Sequence, residues 1–132
     1  LLLPNVFELA WLTGRDIPAA AASAAAAAAD AVAFLPVPSA LVTSVSTSDS
    51  SIANLFVRPG RAEICKTTRR RDVPKGTGDF LSGIFAADPD LGRASGRLDA
   101  LIAASQGKPH LAIVTAQSKW TTASPVQIEK LK

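Results

Sequence analysis

Gly76-Thr77-Gly78-Asp79 runs directly into the apolar stretch Phe80-Leu81-Ser82-Gly83-Ile84-Phe85. Two glycines free the backbone for a sharp turn, and the residues behind them read as the first turns of a helix. Such a turn aims several unpaired N–H groups at one spot, backed by the positive end of the helix dipole. That is an anion-binding arrangement. Asp79 then stands beside the bound oxygens, placed to take a proton from an attacking hydroxyl. The competing reading is an ordinary loop-to-helix turn with an acidic residue in its first turn, which the dipole favours anyway.

A second motif opens the chain. Pro4-Asn5-Val6-Phe7-Glu8 follows Leu1-Leu2-Leu3 and is followed by Leu9, Trp11, Leu12, Thr13 and Gly14. This reads as a buried strand that turns into a short helix closed by Gly14. Asn5 and Glu8 are three residues apart, so both side chains can face the strand's C-terminal end, where open α/β sheets bind ligands.

Between and beyond these motifs helices and strands alternate. Asp16 and Pro18 mark the start of a helix to about Val32, whose core from Ala19 to Ala29 is ten alanines and one serine. Alanine favours helix but offers little apolar area, so this element should lie as an outer cover on the sheet. Ala40 to Val45 reads as a buried strand. Ile52 to Val57 and Arg61 to Thr68 read as a hairpin turned at Pro59-Gly60. Helices are expected from Thr77 to about Ala87 and from Leu91 to Ser105, separated by Asp88-Pro89-Asp90. Leu111 to Thr115 is a final short strand or turn, and the tail from Gln117 is polar and weakly patterned. The alternation predicts a layered α/β fold with a mainly parallel sheet and an antiparallel edge hairpin.

Taken together, the two motifs resemble the ribokinase-like superfamily of small-molecule kinases, and among them the pyridoxal kinases. Asn5-x-x-Glu8 matches that family's N-x-x-E motif, and Gly76-Thr77-Gly78-Asp79 its G-T-G-D anion hole and catalytic base. Thr43-Ser44, at the end of the strand from Ala40, matches a Thr-Ser pair that contacts nucleotide phosphates. The resemblance covers nearly the whole chain but only the C-terminal half of complete members, which are about twice as long. It implies a three-layer α/β/α fold, incomplete at the N-terminus, with residues 1–132 forming the ATP-binding and catalytic part of one kinase domain.

The resemblance further implies ATP and Mg²⁺ as cofactors and transfer of phosphate to the 5′-hydroxymethyl of pyridoxal. Asp79 would be the base, with Gly76, Thr77 and Gly78 holding the transferring group. Asn5, Thr43, Ser44 and Lys75 would meet the nucleotide, and Glu8 the metal. Other small-molecule kinases of the superfamily, acting on a hydroxymethylpyrimidine or a sugar, share these motifs. An inactive remnant that at most binds nucleotide would retain them too. Two positions depart from the family: Leu3 stands where many relatives carry Thr, and Lys75 where many carry an apolar residue. Lys75 is open to two readings, a charge near the phosphates or a solvated lysine. Complete pyridoxal kinases are typically homodimers, which is what the resemblance implies for a full-length parent.

Net charge is +3, and seven basic residues lie between Arg58 and Lys75 against Glu63 and Asp72. A solvated face and a basic surround for ATP are both open readings of this run. A nucleic-acid surface is not expected, because no aromatic stacking platform or recognised motif accompanies it. The single cysteine, Cys65, excludes an internal disulfide, reads as a structural thiol, and fits a reducing cytoplasm. The alanine tract is interrupted by Ser23 and Asp30, so no membrane span and no signal peptide is expected. His110 is alone and reads as a surface residue. Trp11 and Trp120 read as packing residues, and Gly83 as a point of close helix packing.

Overall fold

Connection lengths decide how the strands pair. In a computed structural model that describes residues 1–18 and 21–131, β1 (Ala40–Ser46), β2 (Ser51–Arg58) and β3 (Arg61–Thr68) follow one another through very short links. Links this short allow antiparallel pairing alone, since a parallel return needs a long crossover. The four-stranded sheet accordingly has the order β1-β2-β3-β4, with β4 (Ile128–Leu131) antiparallel to β3. The mainly parallel sheet expected from the sequence is therefore corrected for these residues. Among the described residues parallel pairing is confined to the opening segment, where Leu2 bridges Ala40 and Asn5 bridges Thr43. That pairing is reached through a helical crossover made by α1 (Val6–Thr13) and α2 (Ala21–Val32).

The layers are those expected of an α/β/α fold. One face of the sheet buries Val42, Val45, Leu55 and Ile64 against Leu9 of α1 and Ala24, Ala25, Ala28 and Ala31 of α2. The other face packs Leu41, Phe56 and Cys65 against Leu81 and Phe85 of α3 (Thr77–Ala87) and Leu91 and Ala94 of α4 (Leu91–Ser105). Phe56 and Phe85 meet edge to face, with ring centroids 4.9 Å apart. The alanine face of α2 contributes to the larger of these clusters, because small side chains let the helix sit close to the sheet. Residues 19 and 20, the start of the alanine tract, lie outside the described residues.

Several local expectations change. The polar tail holds two elements, α5 (Gln117–Thr121) and β4, while residues 111–115 take the turn of the two alternatives expected there. β4 is anchored by pairing and by its two apolar residues: Cys65 opposes Ile128, Lys66 Nζ donates to Glu129 at 2.9 Å, and Ile128 and Leu131 pack against the core on opposite faces of the sheet. Gly83 has nothing within 4 Å of a would-be Cβ. The close approaches are at Gly92 and Gly96 of α4, where such a carbon would stand 2.8 Å from Val126 O and 2.2 Å from Ser124 O. Trp11 is 78% exposed and lies outside the core, while Trp120 packs edge to face on Phe80. Leu1 is 49% exposed, whereas Leu2 and Leu3 pack against the two core clusters on opposite faces of the sheet. His110 is exposed, and no helix among the described residues is long and apolar enough to cross a membrane.

Candidate active site

Asn5 fixes where α1 begins. Its Oδ1 accepts from the Glu8 amide at 2.8 Å, and Glu8 Oε2 accepts from the Asn5 amide at 2.9 Å. This reciprocal capping box satisfies two helix-end donors, and Gly14 closes the other end in the left-handed region at φ 65°. The N-x-x-E spacing thus has a structural role of its own. It leaves Glu8 Oε1 outside the box.

Thr43 and Ser44 lie on a β-bulge. Val42 opposes Leu55 and Val45 opposes Ala53, so two residues on β1 face the single Asn54 on β2. The extra residue keeps Val42 and Val45 on one face although they are three apart. Ser44 takes φ 61°, a conformation that costs a residue with a Cβ roughly 1 kcal/mol or more. Thr43 is held against the opening segment by its amide bond to Pro4 O at 2.9 Å.

On the other side of the site Gly76 adopts φ 101° and acts as the N-cap of α3. No side chain caps this helix, so the first-turn N–H groups remain available to a ligand. Asp79 sits in that first turn and is exposed. Leu111 Cδ1 would lie 3.4 Å from a Cβ at Gly76, which together with the positive φ restricts this position to glycine.

A cleft of about 350 Å³ joins these parts, with Asn5, Thr43, Ser44, Thr77 and Gly78 all on its wall. Gly76 and Asp79 border those residues in sequence, and Lys75 and Glu8 stand two and three positions away, but none of the four lines the cleft. Of the basic run, Arg69 and Arg70 line it and Arg71 does not. Arg70 is engaged by Asp99, Nε to Oδ1 at 3.3 Å, and Arg69 donates to Ser46 Oγ at 3.1 Å. Arg58 and Arg61 both turn to the buried carboxylate of Glu63 and away from the cleft. The basic run therefore divides among ion pairs, the cleft wall and two exposed residues, Arg71 and Lys75.

The sequence reading passed over Asn54 and Ser95, both buried and both on the cleft. Asn54 had a signal: it is the one polar residue inside Ile52-Ala53-Asn54-Leu55-Phe56-Val57. Ser95 had none, being one small residue on a helix. Its Oγ has no nitrogen or oxygen partner among the described residues, and its neighbour is the weakly bonding Cys65 thiol. Burial pushes the Cys65 pKa up, against a smaller opposite effect of the Ser95 hydroxyl, and Asp90 adds to the rise. Cys65 is thus an inert structural thiol.

Solved structures share this arrangement of elements. Pyridoxal kinase from Trypanosoma brucei superposes with a TM-score of 0.81 at 22% identity, covering 98% of this chain and 50% of its own. The fold is ribokinase-like. Pyridoxal kinase from Leishmania donovani, in complex with ADP and pyridoxine, gives 0.80 at 22% identity over 98% and 50%. A putative phosphomethylpyrimidine kinase from Bacteroides thetaiotaomicron gives 0.70 at 15% over the same shares. The chain spans about half the length of these ribokinase-like structures. No protein-family model and no curated protein sequence matches it.

Proposed function

We propose that this chain is the ATP-binding and catalytic part of a ribokinase-like kinase that phosphorylates the 5′-hydroxymethyl of pyridoxal. The observation that carries the reading is one cleft shared by the uncapped N-terminus of α3, the strained Thr43–Ser44 bulge and Asn5. Its pyridoxal arm is supported by fold likeness to pyridoxal kinases solved with ADP and pyridoxine or with AMP-PNP and PL.

In this reading Thr43, Ser44 and Asn5 bind the nucleotide phosphates, with Lys75 adding charge at the glycine turn. Asp79 accepts the hydroxyl proton. The freed oxygen bonds to the γ-phosphorus while the bond to the bridging oxygen breaks, and ADP leaves with that electron pair. The N–H groups of Gly76, Thr77 and Gly78 hold the charge of the transferring group, so positioning and electrostatics supply most of the acceleration.

Magnesium suits the donors present. It prefers water and phosphate oxygens with one or two carboxylates, and Glu8 keeps Oε1 outside its capping box. No trio of His, Cys, Asp or Glu gathers into a metal cage among the described residues, so Glu8 would hold the ion jointly with nucleotide phosphates. Bound there, the ion would neutralise phosphate charge.

The test is ATP-dependent formation of pyridoxal 5′-phosphate, with nucleotide binding measured in parallel and Asp79→Asn as control. Removal of a general base lowers turnover about 10²- to 10⁴-fold. The expected result is that loss with nucleotide affinity unchanged. Product formation indifferent to Asp79→Asn, or folded chain that binds no nucleotide, overturns the reading. A second substrate class, hydroxymethylpyrimidine, is favoured by the likeness to the phosphomethylpyrimidine kinase and belongs in the same assay. Nucleotide binding without turnover on either substrate would mark a remnant that keeps only the nucleotide site.

A further inference from the structure

The floor of the cleft carries a polar group that the chain itself does not satisfy. Asn54 lies in the middle of β2, between apolar neighbours, and is only 8% exposed. Phe56, two residues further on, packs with α3 and α4, so Asn54 presents its side chain to the same face of the sheet. Across β3 it opposes Cys65, a member of that same cluster, whose thiol Ser95 of α4 approaches. Across β1 it faces the Thr43–Ser44 bulge. Thr77 and Gly78, in the first turn of α3, share the cleft with it.

Other polar side chains on this cleft are committed elsewhere. Asn5 caps α1, Arg70 pairs with Asp99, and Arg69 donates to Ser46. Among the described residues the Asn54 side-chain amide has no hydrogen-bonding partner. An unpaired amide in a buried strand is costly, and an apolar residue of similar size would cost nothing there. The space it opens on is the one lined by the uncapped first turn of α3. Donors from a strand and from a helix N-terminus thus meet one cavity, and an anionic oxygen satisfies both.

We propose that Asn54 is a phosphate-binding residue of the nucleotide site, its Nδ2 donating to a phosphate oxygen that the first turn of α3 also holds. The inference rests on the nucleotide reading of this cleft and not on the pyridoxal arm. A hydrogen bond from a neutral amide to a charged oxygen changes affinity about tenfold to a hundredfold.

Ligands that divide the nucleotide test it: ATP, inorganic tripolyphosphate, which lacks base and sugar, and adenosine, which lacks phosphate. Calorimetric binding in the presence of magnesium is compared for the native chain, Asn54→Leu and Asn54→Asp, with thermal unfolding of each. Asn54→Leu should unfold at no lower a temperature than the native chain, because no internal hydrogen bond is lost. It should nevertheless bind ATP and tripolyphosphate about tenfold to a hundredfold more weakly, with adenosine unaffected. Asn54→Asp should bind both phosphate ligands more weakly still, since its carboxylate repels them. If leucine prevents folding, Asn54→Ala removes the same donor without added bulk and carries the same expectation for the ligands. The inference is overturned, with nucleotide binding intact, if the native chain binds ATP and the leucine or alanine variant binds it equally. It is overturned in the same way by a loss that falls on adenosine and spares tripolyphosphate, or by Asn54→Asp matching the native chain. A folded native chain that binds neither ATP nor tripolyphosphate removes the nucleotide reading itself, and this inference with it.

Discussion

Asn5 and Glu8 bond each other twice, side chain to backbone in both directions, at 2.8 and 2.9 Å. One pair of residues thereby serves the start of α1 and, in the proposed function, the nucleotide and its metal. The roles separate by substitution. Asn5→Ala removes a cap and should cost about 1 kcal/mol of stability, read by denaturant unfolding. Glu8→Gln keeps an oxygen for the Asn5 amide but loses the charge. It should leave stability within about 0.5 kcal/mol and weaken magnesium-dependent nucleotide binding. Equal nucleotide binding with and without magnesium in both proteins would confine Glu8 to capping.

Ser44 carries a comparable tension. At φ 61° it is strained, and glycine would relieve that strain. Ser44→Gly is expected to stabilise the chain by about 0.5–1 kcal/mol and to weaken nucleotide binding through loss of the hydroxyl. A variant that gains stability with undiminished affinity would show that the bulge, and not its hydroxyl, is what the site uses.

How much of this was legible in the sequence depends on how locally each feature is encoded. The hairpin was readable because Pro59-Gly60 sits between two apolar runs, and α4 because its caps and apolar spacing agree. The glycine turn at Gly76 was readable for the same reason, since two glycines before an apolar run admit few conformations. The bulge was hidden, because Val42-Thr43-Ser44-Val45 differs from plain alternation only through its partner strand. β4 was hidden because Ile128–Leu131 pairs with residues more than sixty positions away. Trp11 was misread for a related reason: a tryptophan between apolar residues looks buried until the surface facing it is known.

The α4 glycines give a sharper test of packing. A Cβ on Gly96 would stand 2.2 Å from the Ser124 carbonyl oxygen, a backbone atom that cannot swing aside. Overpacking of this kind costs about 1–3 kcal/mol, against a helix-propensity gain of about 1 kcal/mol. Gly96→Ala should therefore lower stability and loosen the 124–126 segment that leads into β4. Gly83→Ala meets nothing within 4 Å in a helix interior and should raise stability by about 0.5–1 kcal/mol. Thermal unfolding of the two variants should move in opposite directions, and a gain in both would mean that residues 124–126 do not lie against α4.

Cys65 predicts a pH dependence. Burial raises its pKa above the ordinary thiol value, so the folded chain keeps a proton that the unfolded chain releases. Unfolding then releases protons in alkaline solution. The contribution is fully present below the unfolded thiol's pKa of about 8.5 and is lost as pH rises through the folded value. Cys65→Ala removes this ionisation while leaving lysine and arginine titration untouched. The stability difference between the native chain and Cys65→Ala should therefore shrink as pH rises above the unfolded thiol's pKa of about 8.5, measured by denaturant unfolding under reducing conditions. The folded thiol should also react with a soluble disulfide reagent far more slowly than the same thiol in denaturant, because both access and thiolate are withheld. A difference that stays constant as pH rises, joined to rapid labelling of the folded chain, would place Cys65 at the surface and remove it from the sheet–helix core.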